Sequence, residues 1–266
     1  MRVVLGIDDN PIYQFYLPMT VKIWQAFNVE PLVFHVSDTP VELECEVVSV
    51  KPNPRWPTAW QAKASRLCVG SELERERDFY LLSDVDLWPL RRDWLDCVGP
   101  RWWELGLIRW GSNLHEWKAV ICYTGACIST WEDFLPSPSQ SVERALEWLI
   151  PLQRGINENA DGVFSDETLL TYFLNHPYSG LGPKQTDISR GGRHGLDLEG
   201  IAVGPPADRI DRSDWDYEPH NPWDAHLPHD GWNHIPRLLD LFGRVCPDDV
   251  EWARKWMENF ECPTSP

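Results

Sequence analysis

The sequence predicts an α/β fold built on an open sheet with crossover helices, and three observations carry that prediction. Short apolar runs at Arg2–Ile7, Pro31–Val36, Val41–Val50 and from Phe79 onward have strand length, and turn-forming residues separate them. Between them lie two stretches that read as helices, Tyr13–Phe27 and Thr58 to about Gly70. Strand, helix, strand, strand, helix, strand is the order that crossover connections produce. Acids also follow the first and fourth strands, as Asp8-Asp9 and Asp84-Val85-Asp86. Ligands of open α/β sheets bind at that carboxyl edge.

Each element has its local reason. The first strand stops at Asp8-Asp9-Asn10-Pro11, a turn signal. Phe15, Met19, Ile23 and Phe27 form the stripe of the first helix, with Pro18 either kinking it or marking its start. Thr58 is suited to cap the second helix, which carries Lys63 and Arg66 one turn apart. Trp88-Pro89 closes the Phe79 strand, because proline cannot donate to a continuing ladder.

The second half is less regular. Leu105–Trp110 and Ala119–Tyr123 read as strands. Ser141–Arg154 is an amphipathic helix with Val142, Ala145, Leu146, Leu149 and Ile150 on one side. Ser165 precedes a helix over Asp166–Asn175, and Ile235–Phe242 and Asp249–Phe260 read as closing helices. Gly180–Asp224, rich in Gly, Pro, Arg and Asp, reads as long loops over a site. No internal repeat divides the chain, and one domain is expected.

The 266 residues are 42% hydrophobic, enough for a real core, and 41 acids against 24 bases leave a net charge of −17. Such a field repels nucleic-acid phosphates and anionic membranes, which argues against a non-specific polyanion binder. No run reaches the ~18 apolar residues of a spanning helix. Met1–Asp8 turns acidic too soon for a signal peptide. Seven cysteines without CxxC spacing argue against both a zinc site and a disulfide framework, with Cys45 and Cys122 read as small core residues. A soluble, cytoplasmic protein is the expectation. Sixteen tryptophans invite a carbohydrate-platform reading, but Trp24, Trp60, Trp148, Trp252 and Trp256 stand at helical spacing among apolar neighbours and read as core.

Asp84 and Asp86 end an apolar strand, a rigid place to present hard oxygen ligands to a divalent cation. The bland alternative is that Asp-x-Asp arises by chance in an acidic chain. In order, a strand leading to acids, a Lys/Arg-bearing helix, Asp84-Val85-Asp86, Ser165-Asp166-Glu167 before a helix and a late Asp224-Ala225-His226 together resemble the GT-A-fold, Asp-x-Asp-containing nucleotide-sugar glycosyltransferases. Leu81–Pro89 and Arg209–Arg212 are similar to segments of small GT-A enzymes of large DNA viruses of algae.

That resemblance implies a GT-A-like open mixed sheet flanked by helices within one domain, 1–266. A Rossmann-like nucleotide- and metal-binding half would span 1–100, and a less regular acceptor half with a closing segment 101–266. It implies metal-dependent transfer of a sugar from a nucleoside-diphosphate donor, a UDP-sugar first, to a hydroxyl of a glycan or other acceptor. Asp84 and Asp86 would hold Mn²⁺ or Mg²⁺ with His226 or His229 as third ligand, Asp84 lying towards the ribose or a metal-bound water. Imidazole suits Mn²⁺ better than Mg²⁺. Asp8 or Asp9 would contact base or ribose; Lys63 and Arg66 would face the base or diphosphate or else form an exposed helix face; Arg212 would hold phosphate or support the acid cluster; and Gly125 would lie by the donor sugar or merely form a turn. No lysine follows His226 or His229 nearby, so a basic clamp on the leaving diphosphate must come from elsewhere.

Asp166 and Glu167 carry two compatible readings. They sit at the positive end of a helix dipole, or they stand by the acceptor hydroxyl, removing its proton in an inverting reaction or holding substrate in a retaining one. Readings from other classes are a sugar-phosphate nucleotidyltransferase and a non-catalytic carbohydrate-binding protein. The Gly-rich basic loop expected of the former is replaced by Asp8-Asp9-Asn10-Pro11.

Overall fold

A computed structural model of the chain describes residues 1–69, 79–92, 95, 106–107, 123–132, 141–156, 166–175 and 209–261. The described strands are β1 (Arg2–Asp8), β2 (Glu30–Val36), β3 (Glu46–Val50), β4 (Phe79–Leu82), β5 (Leu87–Pro89), β6 (Gly106–Leu107), β7 (Thr124–Cys127), β8 (Arg209–Ile210) and β9 (Asp224–His226). The described helices are α1 (Pro11–Ala26), α2 (Thr58–Ser65), α3 (Ile128–Glu132), α4 (Val142–Ile156), α5 (Asp166–Asn175), α6 (Ile235–Val245) and α7 (Val250–Asn259).

Six strands form a mixed sheet in the order β3-β2-β1-β4-β7-β6. The pairs β1–β2, β2–β3 and β1–β4 are parallel, whereas β7 runs antiparallel to both β4 and β6. Alternation along β1 serves both faces of this sheet. Val3, Leu5 and Ile7 join one core layer with Phe15 and Trp24 of α1, Leu238 and Phe242 of α6, and Met257 of α7. Val4 joins the other with Ala62 of α2 and Leu146 and Leu149 of α4. Helices on both faces of a sheet with a parallel core make this an α/β architecture compatible with a Rossmann-like fold. Strands β5, β9 and β8 form a second, small sheet.

Several boundaries depart from the sequence reading for identifiable reasons. The first helix starts at Pro11 because Asn10 caps it, its side chain accepting from the Ile12 N–H at 3.0 Å, and Pro11 suits the first helical position. Pro18 therefore lies inside the helix and does not begin it. Thr58 is not a cap: Pro57 holds that position, and the Thr58 hydroxyl donates to Asp8 at 2.8 Å. The third strand begins at Glu46, not Val41. Of the strand expected over Ala119–Tyr123 only Tyr123 is described; it occupies a turn at φ 64°, and β7 begins one residue later. Most of Leu105–Trp110, Ser165, Cys122 and most of the Gly180–Asp224 loop lie outside the described residues.

The tryptophan reading holds for Trp24, which is fully buried, while Trp60, Trp148 and Trp256 are partly buried against the core. Trp252 is instead among the exposed large side chains, with the Lys22 ammonium 4.8 Å from its ring centroid. Cys45 is half-buried, and burial first, then the Glu46 charge, push its thiol up to about 11. Among the described residues no helix is long and apolar enough to cross a membrane.

Candidate functional site

The sheet changes direction at β1. The chain lays β2 and β3 on one side of that strand and returns to place β4 on the other, with α1 covering one face and α2 the opposite face. The carboxyl ends of β1 and β4 lie on either side of that reversal, the place where open α/β sheets take ligands. Asp8 ends β1, and Asp84 and Asp86 follow β4 at the same edge.

Gly6 makes room beneath that edge. A Cβ there would meet the Ala62 carbonyl oxygen at 2.1 Å and the Arg66 Cγ at 2.8 Å, so only glycine lets α2 lie this close to β1. The 3-10 turn Arg66–Cys68 extends α2 and carries Arg66 under the acids. Beyond β4, Ser83 N–H donates to the Val4 carbonyl at 3.0 Å, and Leu87 N–H donates to the Asp84 carbonyl at 3.3 Å, closing the turn that presents both aspartates.

The small sheet brings the C-terminal segment to this turn. Leu87 of β5 pairs with His226 of β9, and Leu227 N–H donates to the Asp86 carbonyl at 2.8 Å, so the segment carrying His226 lies against the aspartate turn. Strand β8 runs parallel to β9, locked by two bonds from the Arg209 guanidinium to Asp224 at 2.9 and 3.1 Å. Two residues beyond β8, Arg212 enters the same space.

Two arginines divide the aspartate pair. The Arg66 guanidinium donates to Asp84, to Asp166 and, at 2.8 Å, to the Ser83 carbonyl. Its side chain is 5% exposed. Burial opposes its charge, but the attraction of Asp166 and Asp84 keeps its pKa above the ordinary arginine value. Burial raises the Asp84 carboxyl, yet the charge of Arg66 outweighs it and holds the group below the usual carboxylate range. Asp86 goes the other way: burial first, then repulsion from Asp84, push it up to about 6. Arg212 donates to Asp86 Oδ2 at 2.9 Å and, through Nε, to His226 Nδ1 at 3.3 Å; its Nη1 lies against His229 Nε2.

The imidazoles of His226 and His229 are both held below the ordinary histidine value. Burial first and the Arg212 charge second lower His226 to about 4, and the same two causes lower His229. Asp211 Oδ2 lies 3.8 Å from His226 Nδ1, and bonds from the Ser213 N–H and hydroxyl outweigh its partial burial and keep its carboxyl low.

Asp8 is buried and braced, accepting from Thr58 and from the Asn10 N–H at 3.2 Å. Asp9 is the open one, accepting from the Ser37 hydroxyl at 2.6 Å and lying 3.3 Å from His35 Nε2. Lys63 is half-buried on α2 and lowers the Asp166 carboxyl, a weaker influence than the burial that raises it. Arg66, expected to face a base or diphosphate, is instead buried on two carboxylates. Asp166, expected at an acceptor hydroxyl, is buried on Arg66, while Glu167 beside it is half-buried. The space beside Gly125 is filled by the Phe79 ring, 2.4 Å from where a Cβ would stand, so this glycine serves strand packing.

Tyr13 escaped the sequence reading. Its phenol stands in the first turn of α1, raised above the ordinary tyrosine value by burial and then by the charge of Asp86. Only its position three residues after the Asn10 cap signals that it faces the acid edge.

Among the described residues no three His, Cys, Asp or Glu side chains form a ready cation cage. Donors of the right kind for Mn²⁺ or Mg²⁺ do converge, since Asp86, His226 and His229 all point to one cation, the Arg212 guanidinium, and Asp84 lies two residues from Asp86. Acid, imidazole and guanidinium thus gather at one sheet edge, the residue types whose chemistry suits divalent ions and anionic phosphate groups. No protein-family model matches this chain, and no curated protein matches it.

Proposed function

We propose that this protein is a metal-dependent glycosyltransferase of the GT-A type, moving a sugar from a nucleoside-diphosphate donor, a UDP-sugar first, to a hydroxyl acceptor. The observation that carries the reading is the meeting of Asp84, Asp86 and the neutral His226 at the switch point between β1 and β4. A net charge of −17 makes local cations necessary for an anionic donor, and Arg212 and the acid-bound metal are suited to supply them.

In this reading Asp84 and Asp86 hold Mn²⁺ or Mg²⁺ with His226, or the more exposed His229, completing the set. The ion, when bound, offsets charge developing on the departing diphosphate. Arg66 fixes Asp84 in one orientation from below, so the ligand pair is preorganised. Asp9, exposed just beyond the end of β1, would meet ribose or base. Glu167 is the better-exposed acid for the acceptor side, with Asp166 positioned behind it by Arg66.

A nucleotidyltransferase reading is disfavoured by Asn10 and Pro11, which begin α1 directly after the strand and leave no phosphate-cradling loop there. Calorimetric titration with UDP, GDP and CDP, each with Mn²⁺ and with EDTA, tests the proposal. One nucleoside diphosphate should bind only with metal, and Asp86→Ala should abolish that binding with the fold intact. Metal-independent binding, or an Asp86→Ala protein that still binds UDP with Mn²⁺ as tightly, would overturn it.

A further inference from the structure

The two arginines at the acid edge are not equivalent. Arg66 is 5% exposed, clamped by two carboxylates and a carbonyl, and fixed. Arg212 is 25% exposed, and its three partners, Asp86 Oδ2, His226 Nδ1 and His229 Nε2, belong to the residues best suited to ligate a metal. The electron pairs that accept its N–H groups are those a metal would need. An oxygen or ring nitrogen turned to the guanidinium cannot use the same lone pair for a cation.

We propose that the Arg212 guanidinium is the resident cation of this site, and that a divalent ion enters by displacing it. The inference rests on the transferase reading in taking Asp86 and the histidines as metal ligands. The backbone around Arg212 stays anchored, by the β8–β9 pairing before it and by Asp211, which caps the next turn through the Ser213 N–H at 2.9 Å. The side chain alone has to move, and its exposed edge gives it a way out. Once released, its planar fork is free for a bidentate grip on phosphate oxygens at the same edge. That supplies the basic clamp for which no lysine follows the histidines. A diphosphate that captures the displaced side chain removes the metal's competitor, so metal and nucleoside diphosphate bind with positive coupling, each tightening the other by the same factor.

The test is Mn²⁺ binding to the full chain, read from the free-ion paramagnetic resonance signal, with and without UDP, for wild type, Arg212→Gln and Arg212→Lys. Without UDP, Arg212→Gln should bind Mn²⁺ at least tenfold more tightly than wild type, with Arg212→Lys between them. UDP should tighten Mn²⁺ strongly in wild type and much less in Arg212→Gln. Equal or weaker Mn²⁺ binding by Arg212→Gln overturns the displacement while leaving the transferase reading standing. Absence of Mn²⁺ binding by every protein, with or without UDP, overturns both. In wild type, independent of any variant's folding, Mg²⁺ should accelerate solvent exchange of the Arg212 Nε–H in nuclear magnetic resonance; an unchanged rate with Mg²⁺ bound overturns the proposal.

Discussion

Gly6→Ala should act as a structural lesion and a functional one together. A Cβ at Gly6 would stand 2.1 Å from the Ala62 carbonyl oxygen and 2.8 Å from Arg66 Cγ. Contact near 3.4 Å requires the α2 backbone to retreat by on the order of 1 Å, because a carbonyl cannot rotate aside as a side-chain tip can. Overpacking of this kind costs ~1–3 kcal/mol. The retreat also withdraws Arg66, which holds both Asp84 and Asp166, so UDP affinity in Mn²⁺ should fall as well. Gly155→Ala is the control. It lies in α4 with nothing within 4 Å of its Cβ, and should be neutral or stabilise by up to ~1 kcal/mol through helix propensity. Urea unfolding of the three proteins, paired with UDP calorimetry in Mn²⁺, reads both effects. A Gly6→Ala protein with wild-type stability and affinity would refute the close β1–α2 packing and the positioning role given to Arg66.

Three more outcomes follow from the same contacts. Asp86 has a pKa raised to about 6 from 3.8, so its contribution to stability is fully present below 3.8 and is lost as pH rises through about 6. In chelator, Asp86→Asn should therefore be more stable than wild type at pH 7, by on the order of 1–3 kcal/mol, with a smaller gain at pH 5; a pH-independent difference in thermal unfolding would contradict this. Arg66→Met strands two buried carboxylates and should destabilise by ~3–5 kcal/mol in urea, an effect partly relieved by adding Asp166→Leu. Tyr16→Phe removes the hydroxyl that donates to the Pro228 carbonyl at 2.5 Å, and should cost ~1–3 kcal/mol and speed amide exchange at residues 226–229.

The sequence carried the α/β frame because its cues were long and local. Each apolar strand preceded its acids, and seven-residue β1 and β2 and sixteen-residue α1 offer enough periods for the pattern to rise above chance. The second sheet was not legible, because β5, β8 and β9 have two or three residues each and no period can be read from so few. Asp84 and Asp86 were visible as a pair, but the opposite shifts of their pKa values depend on Arg66 and Arg212, which stand 18 and 126 residues away from them. Arg66 and Lys63 stand one turn apart on the same helix in the sequence, and nothing local distinguishes them. Arg66 is buried because Gly6 lets α2 approach β1 and because Asp84 and Asp166, distant in the chain, accept from it. Asn10 was hidden by ambiguity, since Asp-Asn-Pro opens a turn or caps a helix equally well.

The pairing of β5 with β9 also sets the order in which the molecule can be completed. Leu87 and His226 are strand partners far apart in the chain, so a nascent polypeptide exposes the Asp84–Asp86 turn long before its histidine and Arg212 exist. Until residues 209–229 emerge, Asp86 has neither its guanidinium partner nor the Leu227 N–H that binds its carbonyl. Closing so long a loop is a slow, late event in folding. The full set of groups at this sheet edge thus arrives with the last quarter of the chain, and a product truncated before β9 would lack both His226 and the α6 and α7 side chains that cover one face of the sheet.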